Sequence, residues 1–184
     1  MRIDAGPWML PGANSGGHRL EVVPLNVLRA LSVGDLPEAS RHSSLPLTPY
    51  LVADECRSTW LMRVTQLTSH PGDGIWVTRI LVAGDSGHIV GRAGFHGPPD
   101  ARGMVEVGYS IDPLYRRRGH ARAALEIMLQ VAKSDPRVSV VRASVRPDNL
   151  PSRALIDSYG FVEVGELWDE EDGLETLLEL TVRR

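Results

Sequence analysis

Residues 105–121 read VEVGYSIDPLYRRRGHA, and this stretch decides the fold. The run Val105–Ile111 is rich in β-branched and aromatic residues and predicts a strand. Asp112-Pro113 ends that strand, because proline cannot donate to a sheet. The run Ala121–Lys133 is rich in Ala, Leu, Glu, Gln and Met and predicts a helix. A loop with three arginines and one glycine therefore joins a strand to a helix.

A loop of this kind is suited to bind an anion. The first N–H groups of a helix have no partner within it, and the helix dipole favours negative charge there. The guanidinium groups of Arg116, Arg117 and Arg118 add donors that match phosphate. The residues thus indicate a phosphate or pyrophosphate site, and the alternative is a solvated arginine run beside a simple glycine turn.

The pattern Arg116-x-x-Gly119-x-Ala121 after an apolar strand resembles the acetyl-CoA signature (Q/R-x-x-G-x-G/A) of the GNAT N-acetyltransferase superfamily. A second segment adds to this resemblance. Strand Arg142–Val145, residues Pro147–Leu155 and then Tyr159-Gly160-Phe161 are similar to the family's later strand, its N-x-x-S/A helix start and its closing G-F. The resemblance covers roughly residues 75 to 182. The N-x-x-S form and the acidic last hairpin are most like the branch that contains ribosomal-protein N-terminal acetyltransferases.

Hydrophobic patterning extends the prediction along the chain. Further strands are predicted at residues 18–24, 75–82, 88–96, 138–145, 161–168 and 174–182, and further helices at 25–31, 54–68 and 152–158. Together with the resemblance, this implies an α+β fold: a single GNAT-like domain over residues 18–184. Its mixed, mostly antiparallel sheet of about seven strands would be splayed at the acyl-CoA site and flanked by about four helices. Glycine and proline pairs predict a flexible N-terminal lead over residues 1–17.

Composition restricts the possible partners. Of the 184 residues, 42% are hydrophobic and 23% charged, as in ordinary globular domains. No apolar run approaches the roughly 18 to 20 residues that span a membrane, and no secretory signal is evident. The net charge of −3 argues against nucleic acid as a partner, and a single cysteine, Cys56, agrees with a reducing compartment. We expect a cytoplasmic protein without membrane or nucleic-acid partners, and a homodimer is possible.

The resemblance implies acetyl-CoA as the acyl donor. Backbone N–H groups from Arg117 to Ala121, including that of His120, would hold the pyrophosphate, and Gly119 would let the backbone come close. Ser110 and Ile111 would pair with the pantetheine arm as a strand does, and Asn149 would hold the same arm or cap the next helix. The six histidines and the cysteine show no metal-ligand spacing, so no metal is expected.

Two catalytic roles are open to assignment. An amine must lose a proton before it attacks, and Glu106, a carboxylate in an otherwise apolar strand, is the first candidate for the base. The alternative is that Glu106 faces solvent or pairs with Arg92. Ile156 stands where many family members have a tyrosine acid, so Ser152 becomes the candidate proton donor to the thiolate, or else a helix cap. Tyr159 is a second candidate for the acid.

The acceptor side is less defined by the sequence. The run Asp169–Gly173 reads as a solvated hairpin turn, or else Glu170 faces the acceptor and attracts its amine. Trp168 lines the acceptor pocket or simply packs, and His96, at the end of a strand, is either structural or part of the acceptor site.

These features predict an N-acetyltransferase that moves an acetyl group from acetyl-CoA to a primary amine by direct attack in a ternary complex. The acceptor would be a peptide or protein N-terminus or a small-molecule amine. The alternative is a catalytically weak acyl-CoA-binding module with a sensing or scaffold role. A small nucleotide-phosphate binder unrelated to CoA is a third possibility.

Overall fold

The computed structural model describes residues 3–10, 17–170 and 173–183. Its strands are β1 (Trp8–Met9), β2 (Arg19–Glu21), β3 (Arg79–Val82), β4 (Ile89–Phe95), β5 (Met104–Ile111), β6 (Val140–Val145), β7 (Val162–Asp169) and β8 (Gly173–Thr181). Its α-helices are α1 (Leu25–Ser32), α2 (Leu36–Arg41), α3 (Asp54–Ser69), α4 (His120–Ser134) and α5 (Leu150–Asp157). Short 3-10 helices cover Pro49–Val52, Pro71–Ile75 and Pro113–Tyr115.

The strands form one sheet in the order β1-β2-β3-β4-β5-β6-β8-β7. Neighbours are antiparallel except β5 and β6, which run parallel and are connected through α4. The predicted α+β fold with a mixed sheet is confirmed. The described residues add β1 and α2 to the predicted elements, and α2 has a clear local signal: the Asp35 carboxylate accepts a hydrogen bond from the Glu38 N–H at 2.9 Å. The strand predicted at residues 75–82 begins only at Arg79: the 3-10 helix Pro71–Ile75 takes its first residue, and Val77 makes an isolated bridge to Phe95.

Helices cover both faces of the sheet, and β5 supplies side chains to each face in alternation. Val105 and Val107 belong to the larger core, together with buried side chains of α4 such as Leu125. Glu106, Gly108 and Ser110 lie on the opposite face of the strand, towards α3. On that side a second core lies between α1, α3 and the first strands, around the fully buried Trp60.

Residues 3–10 lie against the first strands of the sheet. Trp8 is buried, and the guanidinium carbon of Arg79 is 3.8 Å from its ring centroid. The fully buried Arg79 also donates to the carbonyl of Asp4 at 3.0 Å. Of the lead predicted over residues 1–17, the first two residues and residues 11–16 lie outside the described residues.

β5 and β6 separate before either strand ends. Their pairing runs from Met104 opposite Val140 to Val107 opposite Ala143. Beyond that point β5 continues along β4, while β6 continues along β8. The sheet therefore opens in its middle, at the end of β5 that leads into the arginine-rich loop.

Candidate active site

The opening between β5 and β6 widens into a cleft of about 1270 Å³. Its walls come from both strands, from α3, from the start of α5 and from the β7–β8 hairpin. Of the side chains predicted to act in catalysis or to bind ligands, those that line it are His96, Glu106, Ser110, Asn149, Ser152, Trp168 and Glu170. The fold thus gathers into one space residues that are separated by more than 70 positions in the sequence.

The arginine-rich loop presents backbone N–H groups at the start of α4. Arg117 has φ of 63° and Gly119 φ of 83°, both in the left-handed region. A non-glycine residue rarely adopts this conformation, and such residues cluster at ligand sites. Among the described residues, no backbone carbonyl accepts from the N–H groups of residues 117–121. Because the helix dipole adds positive potential at the same point, the loop can hold an anion such as a phosphate.

The three arginines of the loop make different contacts. The Arg116 Nε donates to the Ile111 carbonyl at 3.0 Å, which ties the loop back to the end of β5. The guanidinium carbon of Arg118 is 5.7 Å from the ring centroid of Tyr115. Arg117 and Arg118 are both exposed, so their charges reach an anion only at the surface of the loop.

The His120 side chain points away from the expected pyrophosphate position. Its Nδ1 lies 2.7 Å from the Nε2 of His18, and its ring is buried. Burial, followed by the nearby His18, lowers the pKa of His120. The predicted contribution of this residue to the anion site therefore rests on its backbone N–H alone.

Ser110 and Ile111 lie on the stretch of β5 that has left β6. The Ser110 hydroxyl is 2.8 Å from the hydroxyl of Tyr50, a partner that the sequence did not indicate. Burial raises the pKa of Tyr50, so its hydroxyl remains protonated and available as a donor. This contact ties Ser110, which lines the cleft, to the 3-10 helix Pro49–Val52.

Glu106 lies at the base of the cleft, where 23% of its side chain is exposed. The Ser144 hydroxyl donates to its Oε1 at 2.7 Å, and the His96 Nδ1 is 3.6 Å from the same oxygen. The expected alternative, a pair with Arg92, does not form. In the β4–β5 register Arg92 stands opposite Ser110, four residues further along β5.

His96 lies beside Glu106 and over the backbone of Gly108. A Cβ added at Gly108 would come within 2.7 Å of the His96 Nε2, so the ring depends on this glycine. Although 51% of the side chain is exposed to the cleft, the walls surround it closely. Burial lowers the pKa of His96, with Arg63 and Arg92 acting in the same direction and Glu106 opposing them. The imidazole is therefore neutral at neutral pH.

Ser152 lies at the start of α5, across the opening from β5. The Asn149 Oδ1 accepts from the Ser152 N–H at 3.2 Å, so Asn149 caps this helix. The Ser152 hydroxyl is 2.8 Å from the hydroxyl of Tyr109. Burial raises the pKa of Tyr109, which keeps its phenol protonated. Tyr109 was not a predicted site residue, although its place between Gly108 and Ser110 puts it beside the expected donor site.

Tyr159 is turned towards α4 and does not line the cleft. Its hydroxyl donates to the Glu126 carboxylate at 2.5 Å and accepts from the Arg122 guanidinium at 3.2 Å. Burial, followed by the bond to Glu126, raises its pKa. The structure therefore does not bring this second candidate acid together with Ser152.

The β7–β8 hairpin forms the rim of the cleft. Trp168 lines it with 73% of its surface exposed, and Glu170 lies beside it. Glu171 and Asp172, from the acidic run at the hairpin tip, lie outside the described residues. The described part of the hairpin thus adds an aromatic side chain and carboxylates to the acceptor side.

Two further properties of the described residues bear on the predicted partners. No group of three or more His, Cys, Asp or Glu side chains in residues 3–10, 17–170 and 173–183 is arranged to hold a metal ion. Across the same ranges, every helix is too short or too polar to cross a bilayer.

Comparison with known proteins points to one family. The family model described as Acetyltransferase (GNAT) domain matches residues 27–162. The chain is also 36% identical over 83 residues to the uncharacterized N-acetyltransferase YjdG of Bacillus subtilis. The matched segment covers 45% of this chain and 49% of that protein. The chain spans about half the length of the curated relatives it matches.

Solved structures share the fold at low sequence identity. RimJ of Mycobacterium smegmatis, solved in complex with CoA-disulfide, aligns with a TM-score of 0.63 at 22% identity, over 98% of this chain and 90% of that one. The ribosomal-protein-S5-alanine acetyltransferase of Vibrio fischeri aligns with a TM-score of 0.60 at 16% identity, over 96% of both chains. At these identities the likeness concerns the fold alone.

Proposed function

Because the chain belongs to the GNAT acetyltransferase family, we propose that it transfers the acetyl group of acetyl-CoA to a primary amine. The observation that carries this proposal is the opening between β5 and β6. One end of this opening leads to the N–H groups at the start of α4, and the other end holds Glu106 and His96. A donor with an anionic head and an extended arm fits between them.

The described residues fit the parts of acetyl-CoA in order along β5. The pyrophosphate accepts hydrogen bonds from the N–H groups of residues 117–121, and Gly119 offers no obstacle, since a Cβ there would meet open space. The pantetheine arm takes the place of a strand beside Ser110 and Ile111, where β6 has diverged. The RimJ structure, which shares the fold, contains a CoA-disulfide, and this supports a CoA ester as the ligand.

Glu106 serves as the base in the proposed reaction. It removes a proton from the acceptor ammonium, directly or through one water molecule, so that the amine nitrogen has a free electron pair. The neutral His96 and the Ser144 hydroxyl hold the carboxylate in position. Alignment of the amine with the thioester contributes on the order of 7–11 kcal/mol to the lowering of the barrier.

The amine nitrogen then bonds to the thioester carbon, and the carbonyl oxygen becomes an oxyanion. Backbone N–H groups on the side of β5 that β6 has left stabilise it, and one such donor typically contributes about 3–4 kcal/mol. The C–S bond breaks as the carbonyl reforms, the nitrogen releases its second proton to solvent, and the CoA thiolate takes a proton from the Ser152 hydroxyl. Tyr109, 2.8 Å away, reprotonates Ser152 and regains its own proton from solvent.

The remaining assignments follow from this reaction. Peptide or protein N-termini and small primary amines are the proposed acceptors, and Trp168 and Glu170 face them from the rim. We propose residues 18–184 as the acyltransferase domain. A cytoplasmic location is supported by the single buried Cys56, and the exposed apolar side chains of the edge strand β7 are compatible with a homodimer.

The experiment is thiol release from acetyl-CoA, measured against amines, amino acids, peptides and aminoglycosides. Glu106→Gln is expected to lower kcat by about 10²–10⁴-fold, the usual contribution of a positioned base, without weakening CoA binding. Ser152→Ala is expected to lower kcat less, since a thiolate is a good leaving group. Glu38→Gln, on the exposed helix α2, is the matched control. Binding of acetyl-CoA without amine-dependent release would favour the sensing or scaffold module instead.

A further inference from the structure

Two arginines face the acceptor side of the cleft without a carboxylate partner. Arg63 on α3 and Arg92 on β4 both line it, and neither forms an ion pair within the described residues. The other arginine of the cleft lining, Arg146, is bound to Asp148 at 2.7 Å. Both arginines therefore lack an ion-pair partner at short range, in a cleft that carboxylates such as Glu55 and Glu106 also line.

Arg92 is the more exposed of the two. It stands opposite Ser110 in the sheet, beside the stretch of β5 where the pantetheine arm would lie. Its Nη2 donates to the Glu55 carbonyl at 2.9 Å, a neutral acceptor. Its Nε is buried and has no hydrogen-bond partner. The side chain as a whole lines the cleft and is partly exposed, so a ligand can approach its guanidinium group.

Arg63 lies behind Arg92 and is only 5% exposed. Its Nε donates to the Thr78 hydroxyl at 3.1 Å, and its Nη1 donates to the Gln66 side chain at 2.6 Å and to the His96 carbonyl at 3.1 Å. These acceptors are all neutral. Burial lowers the pKa of Arg63 to about 10, and the charge of Arg92 acts in the same direction. An anion in the cleft would relieve both effects.

We propose that the acceptor carries a carboxylate close to its primary amine, and that Arg92, with Arg63 behind it, binds this carboxylate. The proposal rests on the proposed acetyltransferase function and narrows its substrate class. It covers free amino acids and peptides that begin with an acidic residue. A carboxylate matches the planar guanidinium and supplies the negative charge that the hydrogen-bond partners of both arginines lack.

Opposite charges in the cleft would orient such an acceptor. Its ammonium group would lie towards Glu106 and the Glu170 side of the rim, and its carboxylate towards the arginines. A polyamine would instead place a second cation against two guanidinium groups, which is unfavourable at short range. The charge pattern thus selects acceptors that carry both signs.

The experiment compares kcat/KM for acceptor pairs that differ only in the carboxylate. The pairs are L-alanine with L-alaninamide, and Asp-Ala-amide with Asn-Ala-amide. We expect a preference of about 10- to 100-fold for the charged member of at least one pair, the factor that a charge-assisted hydrogen bond contributes. The pair that shows the preference tells whether the carboxylate belongs to a free amino acid or to an acidic first side chain.

Variants test the assignment to Arg92. Arg92→Gln is expected to reduce the preference to about unity by slowing only the charged member, and Arg92→Lys to retain part of it. Arg41→Gln, in an exposed pair on α2, should leave the ratio unchanged. An equal or better rate for the neutral members or for spermidine would overturn the inference, while the acetyltransferase function would stand.

A binding measurement keeps the inference testable if no acceptor turns over. N-acetyl-L-alanine and N-acetyl-L-alaninamide are titrated into the CoA complex of the unmodified protein, while the arginine Nε–H signals are followed by NMR. The Arg92 signal is assigned by its loss in Arg92→Lys. A shift of this signal by the acid alone supports the anion site. Equal effects of both probes, or no effect of either, would overturn it.

Discussion

The position of the His96 ring depends on a residue that has no side chain. A Cβ at position 108 would come within 2.7 Å of the His96 Nε2, closer than non-bonded atoms approach. Glycine on β5 therefore permits the imidazole to lie beside Glu106, and any larger residue displaces the ring from the carboxylate.

Gly108→Ala is accordingly expected to lower kcat while CoA binding stays unchanged. We expect kcat to fall at least about tenfold. This is a part of the roughly 10²–10⁴-fold rate increase that a positioned acid or base contributes. Steady-state kinetics and calorimetry with CoA would measure the two quantities. Gly72→Ala is the control, because its φ is not positive and a Cβ there meets open space. An unchanged kcat in Gly108→Ala would mean that His96 does not position the base.

At the scale of elements, the start of α4 combines backbone strain with ligand binding. Gly119 has φ of +83°, yet a Cβ there would touch nothing. The cost of an added side chain is therefore conformational, about 1–2 kcal/mol in the free energy of unfolding.

Gly119→Ala should show this stability loss in urea unfolding and also a weaker affinity for CoA. If one charge-assisted hydrogen bond to the pyrophosphate is misaligned, affinity falls by about 10- to 100-fold. Gly34→Ala is the matched control, with φ of +80° between α1 and α2 and only ordinary contacts with Arg57. It should lose similar stability and keep its CoA affinity. Equal CoA affinity in both variants would argue against the loop as the pyrophosphate site.

The elements that the sequence predicts well are those with local signals. The β5–loop–α4 unit carries alternation, a proline stop and a glycine within 17 residues, and all three act on their own neighbours. The site partners are different. Tyr109 meets Ser152 across 43 positions and Arg63 meets His96 across 33, so only the packed sheet brings them together. A pair between Arg92 and Glu106 was one alternative that the sequence left open, and the register sets Arg92 opposite Ser110 instead.

At the scale of the whole molecule, a histidine pair joins the N-terminal strand region to α4. His18 immediately precedes β2, and its Nε2 is 2.7 Å from the Nδ1 of His120. Two protonated rings would repel each other at this distance, so the contact requires at least one neutral imidazole. Burial and the neighbouring His18 accordingly lower the pKa of His120 in the folded protein.

This shift sets the direction of a pH effect on stability. The unfolded chain takes up a proton at His120 near pH 6.5, whereas the folded protein does so only at lower pH. The free energy of unfolding should therefore fall as pH drops from about 7 towards 5, because the unfolded state binds more protons. His96 contributes in the same sense, since its pKa is also lowered. Urea unfolding at several pH values measures this decline. In His120→Asn the free energy of unfolding should fall less steeply with pH than in the unmodified protein. In His70→Gln, a change at an exposed histidine, it should fall as steeply as in the unmodified protein. If the free energy of unfolding of His120→Asn falls as steeply as that of the unmodified protein, the histidine pair is not the source of the acid sensitivity. The source would then be His96, the other histidine whose pKa is lowered by burial.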